Sequence, residues 1–275
     1  GQGWPGRREA ALSAPGAMAG LGWRDKRPDL LTPQTRQRSK DGSLSLSPAD
    51  LEPGRPPRQI RPGLWLFAPN RDSSGGSSWL VEAAAAGAEG CGDLLIDCPG
   101  LTAANLAFLQ ARPAPGTLVL TGRDGHGRTR RLQEALGWTV LVQEQEAYLL
   151  PGVTDLIRFG QEHALARGVR LLWTPGVSPG SCVLHLATPG WDGLFCGRLL
   201  LPVAPARLAP LRTAACFHWP RQLRSLERLR QWLPAGSPAW IATGGGLGAL
   251  RGGTLVEGGA ALLQALPGPD AEPER

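Results

Sequence analysis

Two side chains near the middle of the chain could do chemistry together. Asp124 and His126 stand two residues apart in LVLTGRDGHG (118–127), and a carboxylate beside an imidazole can pass a proton or donate to a cation. As a metal site the pair is incomplete, because zinc takes three or four converging ligands and two residues this close are a weak chelate. The sequence favours a plainer role, a polar loop in which Asp124 caps a helix starting near Gly127. Arg123, Arg128, Arg130 and Arg131 crowd the same loop, and Arg198 follows GLFCG (193–197). A fixed guanidinium recognises carboxylate and phosphate. Arg123 and Arg198 are therefore candidates for holding a small anionic ligand, whereas Arg130 and Arg131 read as a solvated helix face.

The remaining chemically capable residues form no constellation. His163, His185 and His218 are scattered and read as structural or surface histidines. The five cysteines (91, 98, 182, 196 and 216) are odd in number and contain no C-x-x-C pair, so free, mostly buried thiols are expected. Of ten tryptophans, Trp65, Trp79, Trp173 and Trp240 fall in predicted strands and suit packing rather than base stacking. GGGLGALRGG (244–253) is glycine-rich but lacks the Lys-Ser/Thr of a phosphate loop.

The elements that must position these residues alternate between strand and helix. Residues 63–69 and 77–83 read as two strands joined by a Gly/Ser turn over 72–76. Residues 93–97, 117–121 and 139–142 are short apolar runs of the kind buried on both faces. Helices are expected over 102–111 and 130–136, the second stopped by Gly137, with a short one over 144–150. The second half offers strands at 169–175, 182–188, 193–197 and 239–243. Its helices are 221–232, with Leu223, Leu226 and Leu229 along one face, and 259–266.

Composition narrows the functional classes. Residues 1–62 carry eleven Lys/Arg against six Asp/Glu, whereas residues 63–275 carry eighteen against seventeen. The basic excess therefore lies in a Pro-, Arg- and Ser-rich segment, residues 1–57, expected to be a disordered tail ahead of a folded domain over 58–265 and a short polar end at 266–275. The nearly neutral domain offers no broad nucleic-acid-binding face. No apolar run reaches the ~18 residues of a membrane span, and no leader pattern opens the chain, so the expected compartment is cytoplasmic. Met18 is the only methionine; residues 1–17 are expected to be an extension, or the chain a fragment.

LLIDCPG (94–100), LVLTGRDGHG (118–127), WTPGVSPGS (173–181), GLFCGRLL (193–200) and WIATGGG (240–246) follow in an order and spacing that resembles the metallo-β-lactamase superfamily across about residues 60–265. The chain is similar in particular to the metallo-hydrolase-like branch of cyanobacteria and plant plastids. The resemblance implies a four-layer αββα sandwich with a site along one edge. It also implies a metal site, which this sequence has lost. The family's Thr-His-x-His-x-Asp-His falls on Thr121, Gly122, Arg123, Asp124, Gly125, His126 and Gly127. The third ligand position is Val177, the bridging Asp is Arg198, and the late His is Gly245. Gly and Val offer no donor, and Arg cannot be deprotonated. A guanidinium 4 Å from a dication at an effective dielectric of about 20 would be repelled by roughly 8 kcal/mol. The expectation is a hydrolase-like protein without metal or other cofactor, binding a small anionic ligand or a protein partner through the old cleft. The alternative is a metal-dependent hydrolase with one zinc ion on Asp124 and His126. An RNA-processing role is the weakest reading.

Overall fold

The computed structural model describes residues 46–266 and Gly268, all within one compact unit, Leu44–Arg275. The apolar runs of the first half form a seven-stranded sheet in sequential order. Its strands are β1 (Arg58–Arg61), β2 (Leu64–Asn70), β3 (Gly76–Val81), β4 (Leu94–Ile96), β5 (Thr117–Val119), β6 (Thr139–Gln143) and β7 (Leu156–Phe159). β1 to β4 pair antiparallel and β4 to β7 parallel. Parallel pairing requires crossovers that cover the sheet. α2 (Ala103–Gln110) and α3 (Thr129–Leu136) supply them, after the single turn α1 (Ala83–Ala86).

The second sheet has six strands, ordered β15-β14-β11-β10-β9-β8. They are β8 (Glu162–Ala166), β9 (Val169–Trp173), β10 (Cys182–Thr188), β11 (Trp191–Phe195), β14 (Trp240–Ala242) and β15 (Val256–Glu257). A separate hairpin, β12 (Leu201–Ala204) with β13 (Arg207–Ala209), precedes α4 (Trp219–Trp232), and α5 (Gly259–Ala265) closes the described fold.

Strand alternation divides the apolar side chains among three cores. Leu64, Trp79, Ile96 and Val119 meet Leu171, Leu184, Phe195 and Trp240 between the sheets. Phe67, Leu80, Leu95 and Leu118 point the other way, onto Leu106 and Leu109 of α2 and Leu132 of α3. Leu172, Val183, Leu194 and Ile241 pack under Leu223, Leu226 and Leu229 of α4 and Leu263 of α5. Helix, sheet, sheet, helix is the four-layer αββα sandwich.

Helix ends follow the expected chemistry. The Nδ1 of His218 accepts from Arg221 N at the start of α4, with Pro220 in its first turn. Gly137 ends α3 with φ +69°. The short helix expected over 144–150 is a 3₁₀ segment, Glu144–Leu149.

Most of the tail expected over 1–57 lies outside the described residues, but its end is corrected. Pro48–Asp50 is a 3₁₀ turn capped by Ser47. Ala103 N donates to Glu52 O (2.8 Å) and Ala104 N to Pro53 O (3.0 Å). These bonds satisfy otherwise orphaned donors at the start of α2, a role with no apolar periodicity to reveal it. Among the described residues no helix is long and apolar enough to cross a membrane.

Candidate functional site

The C-terminal ends of β4, β5, β11 and β14 converge on one edge of the sandwich, where the backbone leaves each sheet. This is where open α/β sheets place ligands. Asp97 follows β4 and sits in the left-handed region at φ +61°, a conformation that Asp and Asn tolerate better than most residues. Its carboxylate accepts from Thr121 N (Oδ1, 2.8 Å) and Thr121 Oγ1 (Oδ2, 2.6 Å), tying β4 to the end of β5. The loop then folds over it: Cys98 N donates to Gly125 O, and a Cβ on Gly125 would lie 2.3 Å from Asp97 Oδ1. Burial pushes the Asp97 carboxyl up to about 6, against the opposing pull of the Thr121 donors and the Arg198 charge.

Beside Asp97 is a small cavity, with about 20 Å³ of room for water centres, lined by Ser77, Thr121, Gly122, Asp124, Ser178, Ser181 and Arg198 among others. That volume suits one or two waters. Ser77 Oγ is buried there without a partner. Ser178 Oγ and Ser181 Oγ pair at 3.0 Å, and Ser178 N donates to Ser181 Oγ. Asp124 is half-buried and makes no hydrogen bond or ion pair with the described residues. Arg198 donates from Nη2 to Ser73 O and Ser74 O, the backbone of the β2–β3 turn.

His126 faces elsewhere. It is buried, with Nε2 3.8 Å from Glu146 Oε2, too far for a hydrogen bond, and neither atom has a partner. Glu146 Oε1 accepts from Gly180 N at 2.9 Å. Burial lowers His126 to about 4 and raises Glu146 above the usual carboxylate range.

Three solved structures superpose on this chain over most of their length. The B3 metallo-β-lactamase BLEG-1 does so with a TM-score of 0.53 at 16% identity, covering 72% of this chain and 96% of its own. TTHA1623 in a di-iron-bound form gives 0.50 at 21%, covering 74% and 95%. A B3 metallo-β-lactamase with an active-site glutamic acid gives 0.50 at 17%, covering 78% and 89%. The chain has the metallo-β-lactamase fold. No protein-family model and no curated protein matches its sequence. At these identities the likeness establishes the architecture, and the chemistry rests on the residues present.

The metallo-β-lactamase fold brings Gly122, Asp124, Val177 and Arg198 together around the cavity, and Gly245 stands close by, its built Cβ 3.9 Å from Arg198 Nε. It does not bring in His126 or Gly127: the former faces Glu146, and the latter packs on Cys98. Asp124 thus lines the cavity and His126 does not, although the Asp124 charge still reaches the imidazole. Among the described residues no group of three or more His, Cys, Asp or Glu is placed to hold a metal ion.

The cap expected from Asp124 is also corrected. Arg123–Gly125 is itself a 3₁₀ turn, and α3 begins at Thr129 behind Arg128 with no side-chain cap. Arg123 is exposed and lies outside the cavity lining.

His163, His185 and His218 lie apart from the site. His163 packs near Phe159, His185 bonds Asp192 at 2.8 Å, and His218 caps α4. All five cysteines are free, and burial drives Cys98 and Cys196 up to about 12, so they are inert thiols. Indole N–H groups of Trp65, Trp79 and Trp173 bond Glu82, Thr243 O and Pro179 O, as packing residues do. Sequence reasoning missed Asp97, Glu146 and Ser77 as site residues. The Asp that ends the apolar run DLLID (93–97) was a signal for the first; nothing local marks the other two.

Proposed function

We propose that this protein is a metal-free, non-catalytic bearer of the metallo-β-lactamase fold that binds a ligand or protein partner across the rim of the former metal cleft. The observation that carries this reading is the side-chain set at the cavity. Gly122, Val177 and Gly245 can donate nothing to a metal, and a guanidinium lies among the carboxylates. These residues do not fit a metal pair. The mononuclear alternative loses support because Asp124 and His126 face different neighbours. A small anion at Arg198 is expected at the rim, where Nε and Nη1 have no protein partner among the described residues, since Asp97 and Asp124 oppose it inside.

The test is metal content of untagged protein purified without chelator, followed by zinc titration under thermal unfolding. We expect less than about a tenth of an equivalent and no rise in melting temperature, because a bound ion stabilises only the state that binds it. One tightly held equivalent that disappears in Asp124→Ala would overturn the reading and make this a hydrolase to be assayed.

A further inference from the structure

We propose that Arg198 is an internal cation standing where a metal would, balancing Asp97 and Asp124 across the cavity and tying the Asn70–Gly76 turn over it. The inference rests on the metal-free reading above and says what took over the metal's electrostatic and structural work. Asp97 and Asp124 line one cavity with Arg198, and a buried or half-buried carboxylate needs compensation that hydroxyls alone do not give. The cavity has room for a water or two, so no substrate-sized cation fits, and a diffusible metal would meet a fixed guanidinium. Arg198 supplies the positive charge from the protein itself and needs no ion from solution.

The same side chain closes the cleft. Its Nη2 donates to Ser73 O, and to Ser74 O at 3.4 Å. A Cβ at Gly76 would fall 2.7 Å from Nη2, so glycine there lets the guanidinium lie against the turn. Ser77 N donates to Gly244 O (3.0 Å), and Arg128 Nε pairs with Asp72 Oδ2 (3.1 Å) on the outer side. The turn lies between two spaces. Ser73 and Gly76 line the small cavity, while Asn70, Arg71 and Asp72 line an outer polar groove of about 700 Å³. Releasing the turn would join them and uncover Ser77 Oγ, now buried without a partner.

The test compares Arg198→Lys, Arg198→Met and Arg198→Met with Asp124→Asn, each as the full chain, by thermal unfolding with and without magnesium and by amide hydrogen exchange. We expect Arg198→Met to melt roughly 5–10 °C lower, as loss of one partner of a partly buried charge set implies. We expect its melting temperature to rise on adding magnesium, a response wild type lacks, and exchange at residues 72–76 to quicken at least about tenfold. Arg198→Lys should recover part of the melting temperature without recovering protection of the turn, since an ammonium keeps the charge but not the planar fork. Adding Asp124→Asn to Arg198→Met should also recover part of it. If Arg198→Met does not fold, Arg198→Lys decides: slow, wild-type exchange at 72–76 overturns the latch, and quickened exchange supports it. A folded Arg198→Met indifferent both to magnesium and to Asp124→Asn overturns the charge role. Zinc bound by wild type would instead overturn the metal-free reading itself, a different result on a different protein.

Discussion

Asp97 and Glu146 are both buried carboxyls held against the Gly122–His126 loop, and the protein provides for them unequally. Asp97 has a donor on each oxygen, both from Thr121, and glycines at 125 and 197 let the backbone close around it: a Cβ on Gly197 would fall 2.5 Å from Thr121 Oγ1. Glu146 Oε1 accepts from Gly180 N, the Ser178 hydroxyl also pulls its carboxyl down, and its other oxygen faces an equally unpartnered His126 Nε2. The first region is a joint between strands, kept complete. The second is a buried polar contact left open, and such contacts are rare enough in native proteins to require a reason. The difference separates a joint that the fold completes from a polar contact that it leaves open. Thr121 and Asp97 tie the edge of the sandwich together beside a cavity lined by Gly122, Val177 and Arg198.

Breaking the complete region should have the largest effect. Asp97→Ala removes both acceptors for Thr121 and puts a residue with no polar side chain at φ +61°. We expect a loss of about 2–4 kcal/mol in urea unfolding at pH 7. Asp97→Asn is the sharper experiment. Its carbonyl can still accept from Thr121 N, its amide can donate to Thr121 Oγ1, and Asn tolerates the left-handed conformation. It should fold at least as stably as wild type at pH 7, since it keeps both bonds to Thr121 without the disfavoured charge. A loss as large as that of the Ala variant would mean that the negative charge, rather than the joint, is what the site requires.

Titration sets the two regions against each other. Asp97 is raised to about 6 from 3.8. The folded state therefore favours the protonated form, and stability is lost as pH rises from about 4 through 6. Glu146, also raised, acts in the same direction. His126 is lowered to about 4 from 6.5, so the folded state favours neutral imidazole, and stability is lost as pH falls from 6.5 through 4. Over that shared window the contributions oppose each other, each on the order of 3 kcal/mol for Asp97 and His126. Wild type should show a nearly flat profile there. Asp97→Asn should unmask the histidine and lose stability steadily below pH 6.5. His126→Gln should do the reverse, losing stability as pH rises from 4 to 6. Denaturant midpoints at half-unit pH steps would check this, and two variant profiles parallel to wild type would refute it.

Much of this architecture was legible beforehand because its signals are local and repeated. Leu223, Leu226 and Leu229 marked α4, and the apolar runs at 94–96, 117–119 and 139–143 marked the parallel strands. β7 and β8 went unread because LIRF and EHALA mix exposed and half-buried positions at sheet edges and give no clean alternation. The site was legible only in part. That Gly122, Val177 and Gly245 carry no side-chain donor could be read residue by residue, but which side chains surround them depends on contacts between residues far apart in sequence. Glu146 reaches Gly180 from 34 residues away, and Arg198 reaches Ser73 from 125. Asp124 and His126 show the opposite error. Two residues apart in sequence, they invite pairing, yet the 3₁₀ turn at Arg123–Gly125 sends them to different neighbours.

That separation leads to the smallest expected effect. Asp124 makes no hydrogen bond, so Asp124→Ala should change stability by no more than about 0.5 kcal/mol at pH 7. Its charge does reach the complete region, where it is the weakest of the influences on Asp97 and pushes that carboxyl upward. Removing it should let Asp97 ionise at slightly lower pH, so that less stability is lost between pH 4 and 6. Urea unfolding at pH 5 and pH 8 measures both quantities in one pair of experiments. A small effect, with stability rising slightly more from pH 5 to pH 8 than in wild type, would place Asp124 as a carboxylate that acts on Asp97 through its charge alone. A loss above about 1 kcal/mol that zinc in the wild type counteracts would instead make Asp124 a ligand, and the open contact between His126 and Glu146 would then be the first place to seek the rest of the site.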